Sequence, residues 1–137
     1  MTDTPVLWVV DDDEGIRDML EVMAVMAGWQ ARTFPSAEAF LDAYDRREHA
    51  CLLLDVQLPG ISGLALLKRL HASTDLPIIV LSGHANVRMA VEALRLGAQD
   101  FFEKPFDLNR LLSRVRQVLS AEAEKHRQQG LGLSSLA

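Results

Sequence analysis

The chain is 137 residues long, 49% apolar and 24% charged, with a formal net charge of −5 at pH 7. That length suits one domain with an ordinary hydrophobic core, of the size that buries roughly two-thirds of the surface exposed when unfolded. The negative balance argues against a nucleic-acid or anionic-membrane surface on this domain, one cysteine excludes an internal disulfide, and no apolar run approaches the ~18 residues of a membrane span.

Met1 to Pro5 carry neither a basic region nor an apolar block that would direct secretion, so the expected compartment is the cytoplasm. Val6-Leu7-Trp8-Val9-Val10 is continuously apolar, the pattern of a strand buried on both faces, and it stops at Asp11-Asp12-Asp13. Ile16, Met19, Leu20, Met23 and Ala27 then recur at helical spacing, with Gly28 as the stop. Trp29 to Phe34 is a weaker second strand. Ser36, after Pro35, predicts an N-cap for a short helix with Phe40, Leu41 and Tyr44 on one face. Ala50 to Leu54 is a third strand ending at Asp55, and Cys51 within it is expected to be a small buried core residue. The turn Leu58-Pro59-Gly60 precedes a helix carrying Leu64, Leu67 and Leu70. Ile78 to Leu81 is the fourth strand. Val87, Ala90, Val91 and Leu94 mark a helical face closed by Gly97, and Asp100 to Glu103 is a short fifth strand. Leu108, Leu111, Leu112, Val115, Val118 and Leu119 line the last helix, where Arg110, Arg114 and Arg116 read as a solvated face. Beyond Ser120 the pattern fades. Residues 121–137 read as a helix extension followed by a flexible tail or linker, Gly130 to Ser135.

Strands separated by helices imply an α/β domain with a parallel sheet covered on both faces. With right-handed crossovers, the leading topology is a single flavodoxin-like (βα)5 doubly wound sheet, strand order 2-1-3-4-5. Ligands in such sheets bind beyond the carboxyl ends of the strands. There the first strand delivers Asp11, Asp12 and Asp13, the third Asp55, the fourth Ser82 and Gly83, and the fifth Lys104 and Pro105. Two unit charges ~5 Å apart repel by roughly 3 kcal/mol at an effective dielectric of ~20. A carboxylate cluster therefore calls for a cation or a proton. Oxygen ligands suit Mg²⁺, and Lys104 adds positive charge for the oxygens of a transferring phosphoryl group. Helix capping accounts for one aspartate, such as Asp13. It does not account for three in a row together with Asp55.

Four motifs stand at these strand ends: Val9-Val10-Asp11-Asp12-Asp13, Leu54-Asp55-Val56-Gln57-Leu58-Pro59-Gly60-Ile61-Ser62-Gly63, Leu81-Ser82-Gly83-His84, and Phe102-Glu103-Lys104-Pro105-Phe106. Each is weak alone and specific in combination. From about Pro5 to Ser120 the chain resembles the receiver domains of bacterial two-component response regulators. The run Ser82-Gly83-His84-Ala85-Asn86-Val87 is similar to the FixJ-like branch.

The resemblance implies roles. Asp55 is the phosphoacceptor for a sensor histidine kinase. Asp11, Asp12, Asp55 and the backbone carbonyl of Gln57 hold Mg²⁺, with Mn²⁺ as a substitute. Lys104 contacts the phosphoryl group, and Lys104–Pro105 is a cis peptide. Ser82 and Phe101 are the switch pair, and Gln57 and His84 modulate phosphate lifetime. Phosphorylation is expected to alter the surface of the fourth helix, fifth strand and fifth helix, through which relatives dimerise or dock an effector. The protein acts only on its own phosphorylation and is otherwise not an enzyme. DNA is reached only through a C-terminal output domain, and the segment after Ser120 is similar to an interdomain linker, so the chain reads as a fragment in preference to a free-standing receiver. Two other readings stand beside this one: a phosphohydrolase of the haloacid-dehalogenase type, and a pseudo-receiver that binds partners without phosphorylation.

Overall fold

Each continuous apolar run becomes a strand. The computed structural model describes residues 4–46, 49–84 and 86–136, with only the backbone at 126 and 128–136. Met1 to Asp3, and Ala85 of the fourth-strand motif, lie outside the described residues. The elements are β1 Val6–Val10, α1 Glu14–Met26, β2 Gln30–Phe34, α2 Ala37–Ala43, β3 Ala50–Asp55, α3 Gly63–Ser73, β4 Ile78–Ser82, α4 Val87–Arg95, β5 Asp100–Glu103 and α5 Leu108–Leu136. All strand pairs are parallel, and the order is β2-β1-β3-β4-β5, as the sequence predicts.

Successive side chains of a strand point to opposite faces, and this splits the core in two. Leu7, Val9, Cys51, Leu53, Ile79 and Leu81 face Leu20, Met23 and Ala24 of α1 and Leu111, Val115 and Val118 of α5. Trp8, Val10, Leu52, Leu54 and Val80 face α2, α3 and α4 through Phe40, Leu66, Leu67 and Ala93. Two helices cover one face and three the other, the doubly wound arrangement. Trp8 is fully buried, edge-on to Phe40 at 5.6 Å and Tyr44 at 5.3 Å, with the Arg32 guanidinium 4.8 Å from its ring centre. Among the described residues its Nε1 has no hydrogen-bond partner, a cost of about 1–3 kcal/mol that the aromatic packing must offset.

Helix ends follow local chemistry. The side chains of Asp13, Ser36, Ser62 and Asn86 each accept the backbone N–H three residues on, each cap contributing about 1 kcal/mol. Gly28 and Gly97, at φ +86° and +111°, end α1 and α4 in the left-handed conformation open to glycine.

Three local expectations change. The predicted flexible tail at 130–135 is helical backbone, because α5 runs on to Leu136. Glycine costs about 1 kcal/mol in a helix, but extending an existing helix avoids the unfavourable nucleation step. On α4 the buried residue is Ala93, with Met89 packed against the core beside it, while Val87, Val91 and Leu94 are 81%, 49% and 49% exposed. Arg114 is not merely solvated: its Nε lies 2.7 Å from Asp100 Oδ2, and a terminal nitrogen donates to the Gln99 carbonyl.

Candidate functional site

The register of the sheet assembles the site. Val10 lies opposite Leu54, so Asp11 and Asp55 emerge side by side from adjacent strands at the point where the strand order reverses. Asp55 pairs with Leu81, and Ser82 with Glu103, which puts Ser82 and Lys104 one and two strands further along the same edge. Asp11, Asp55 and Ser82 are the buried polar residues among those described.

Asp11 is held at every polar atom. Its N–H donates to the Phe34 carbonyl, and its carbonyl accepts from Arg17 at 2.8 Å. Oδ1 accepts the Asp13 N–H at 2.9 Å, and Oδ2 accepts from Lys104 Nζ at 2.7 Å. Lys104 Nζ also reaches Asp55 Oδ2 at 3.3 Å, while Asp55 Oδ1 accepts the Gln57 N–H at 3.0 Å. Asp12 is exposed. Burial pushes the Asp55 carboxyl above its ordinary value; the Gln57 N–H opposes the rise, Asp11 adds to it, and Lys104 opposes it. For Lys104 burial acts to lower the pKa, but the hydrogen bonds and charges of Asp11 and Asp55 outweigh it and leave the ammonium more firmly protonated than usual.

The donor set fits a hard divalent cation. Asp11, Asp12 and Asp55 each offer a carboxylate oxygen, and these oxygens lie within 4.8 Å of one another. A set of carboxylate oxygens suits Mg²⁺ or Mn²⁺. The ammonium of Lys104 already sits where the cluster demands positive charge.

The remaining predicted residues fringe this centre. The Gln57 side chain is exposed at the start of the β3–α3 loop, and His84 is exposed with its N–H donating to Ser82 Oγ at 3.2 Å. The Ser82 hydroxyl donates toward α4, to Met89 Sδ at 3.4 Å. Phe101 is partly buried, packed against the core beneath α4. A Cβ built on Gly83 would come no nearer than 4.0 Å to Lys104 Cδ, so the approach beside Ser82 is open. The Lys104–Pro105 peptide is cis. Sequence reasoning missed Arg17, which fixes the Asp11 peptide, and Met89, whose sulfur accepts a hydrogen bond from the Ser82 hydroxyl. An arginine six residues after Asp11, in the first turn of α1, that bonds a backbone carbonyl leaves no motif. Met89 was legible only as an apolar residue.

The family described as response regulator receiver domain matches residues 7–116. The transcriptional regulatory protein FixJ of Azorhizobium caulinodans is 44% identical over 122 residues, covering 88% of this chain and 58% of that protein. The chain thus spans a little over half the length of that curated relative. The structure of FixJ-N aligns with a TM-score of 0.73 at 40% identity, over 88% of this chain and 96% of that one. Full-length FixJ from B. japonicum aligns with a TM-score of 0.81 at 35% identity, over 97% of this chain and 66% of that one. The stretch that builds the sheet and its acidic edge is the stretch that matches, and the protein belongs to the response regulator receiver domain family.

Proposed function

We propose that Asp55 accepts a phosphoryl group from the phosphohistidine of a sensor histidine kinase. The P–N bond breaks, a P–O bond forms to an Asp55 carboxylate oxygen, and the released imidazole leaves the site. The observation that carries this reading is Lys104 Nζ lying between Asp11 Oδ2 and Asp55 Oδ2, at 2.7 and 3.3 Å. That position lets the ammonium stay with Asp11 while it neutralises a phosphoryl oxygen on Asp55. Asp11, Asp12, Asp55 and the backbone carbonyl of Gln57 would hold Mg²⁺, which when bound supplies further charge neutralisation to phosphoryl oxygens. Asp11, clamped at four atoms, keeps the acidic edge in place as charge arrives.

A phosphoryl group adds charge that Ser82 answers by turning from α4 toward the new oxygen, with Phe101 moving inward beside it. This is a local charge change biasing a two-state element. The face that responds is α4, β5 and α5, where Val87, Val91 and Leu94 are already exposed; it serves phosphorylation-dependent pairing of two copies. The output is transcriptional, through a C-terminal DNA-binding output domain, and the compartment is the cytoplasm. Among the described residues no helix is long and apolar enough to cross a membrane. The domain turns over no separate substrate.

Intact mass after treatment with acetyl phosphate and Mg²⁺ tests the reading. One phosphoryl group is expected on the parent chain and none on Asp55→Asn; label on that variant, or mapped to another residue, overturns it. Sedimentation with and without beryllofluoride tests the pairing, and an unchanged monomer removes that part.

A further inference from the structure

Ser82 is buried, and the acceptor its proton reaches is a thioether, Met89 Sδ at 3.4 Å. Sulfur is a weak acceptor, so this bond holds the hydroxyl without locking it. Met89 is itself well placed. Its backbone N–H donates to Asn86 Oδ1 at 2.8 Å, the cap that starts α4, and its side chain packs against the same core cluster as Phe101. The sulfur is therefore carried by the first turn of α4 and meets the Ser82 hydroxyl directly.

We propose that Met89 is a positioning residue whose sulfur retains the Ser82 hydroxyl on the α4 side of the site in the unphosphorylated domain, and so sets the threshold for switching. The proposal rests on the reading of Ser82 as the group that turns toward the phosphoryl oxygen. A ligand that binds only when Ser82 has turned has an apparent affinity scaled by the turned-in fraction. Weakening the retaining bond raises that fraction, and strengthening it lowers the fraction.

The test is calorimetric titration of the full chain with beryllofluoride in the presence of Mg²⁺. Met89→Leu keeps the apolar bulk and removes the acceptor; it binds about threefold more tightly, equivalent to about 0.7 kcal/mol. Met89→Gln offers a stronger oxygen acceptor and binds more weakly than the parent. Ser82→Ala binds more weakly, and in that background Met89→Leu has no further effect. Equal effects of Met89→Leu in both backgrounds, shifts of the same sign for Leu and Gln, or no shift in either overturn the role of Met89 and leave that of Ser82 standing. Unchanged binding by Ser82→Ala alone overturns the reading of Ser82, and the proposal with it. Thermal melting of each variant verifies the fold, and Met89→Ile replaces Met89→Leu should the latter not fold.

Discussion

Replacing Lys104 with methionine isolates the charge balance of the site. Its ammonium lies 2.7 Å from Asp11 Oδ2 and 3.3 Å from Asp55 Oδ2. At an effective dielectric of ~20 these separations give gross attractions of about 6 and about 5 kcal/mol. Most of that is offset by the cost of taking three charges out of water. The net loss expected when a buried pair is stripped of one partner is about 3–5 kcal/mol. In urea, with EDTA present and at neutral pH, a slope of about 1.5–2 kcal/mol/M converts the lower figure into a midpoint about 1.5–2 M below the parent. Mg²⁺ restores much of the loss, because a divalent ion supplies the missing charge; saturation at 100 times Kd contributes about 2.7 kcal/mol. Acidification shrinks the deficit too. The folded pKa of Asp55 is already raised by burial, and losing Lys104 raises it further. Folded protein then binds a proton more readily than unfolded protein, so the variant loses stability as pH rises through that folded pKa and regains it as pH falls. A variant as stable as the parent in EDTA, or a deficit that grows on acidification, would refute the reasoning.

Gly63→Ala is expected to cost about 3 kcal/mol or more, since its Cβ would meet the Asp55 carbonyl oxygen at 2.1 Å and Val56 Cα at 2.5 Å. Gly28→Ala meets nothing within 4 Å and costs about 1–2 kcal/mol from its positive φ alone; melting temperatures compare the two, and equal losses contradict the geometry. Burial pushes the Cys51 thiol up to about 12 from an ordinary value of 9.0. Folded protein therefore resists iodoacetamide that labels it once unfolded, and stability falls as pH climbs from 9 toward 12, because only the unfolded thiol ionises there. Cys51→Ala flattens that alkaline slope, and an unchanged slope counts against the burial argument. Gln57→Ala and His84→Ala change the decay rate of phosphorylated Asp55, measured after the phosphodonor is removed; the same decay in both variants as in the parent removes their role in phosphate lifetime.

The sheet was legible because a strand buried on both faces cannot hide its composition. Val6–Val10, Ala50–Leu54 and Ile78–Leu81 are apolar throughout and become β1, β3 and β4 with at most one residue added. Once the strand order followed, the edge residues Asp11, Asp55, Ser82 and Lys104 needed only to be the next residues along. Less legible were features that depend on side-chain reach. Helical spacing marked Val87, Val91 and Leu94 as a face, but spacing says nothing about which way an apolar stripe points, and here it points outward. Arg114 looked like one of a run of solvated cations until β5 placed Asp100 within 2.7 Å of it. The helical backbone of Gly130 to Ser135 runs against local propensity and is inherited from the helix before it.

That inheritance has a mechanical side. Among the described residues the last core contact of α5 is Leu119, and helical backbone continues to Leu136, roughly 25 Å further at 1.5 Å per residue. A pivot of ~5° at its seat sweeps the far end through roughly 2 Å over that length. Over such a length, a small change of angle at the base of a helix becomes a larger displacement at its tip.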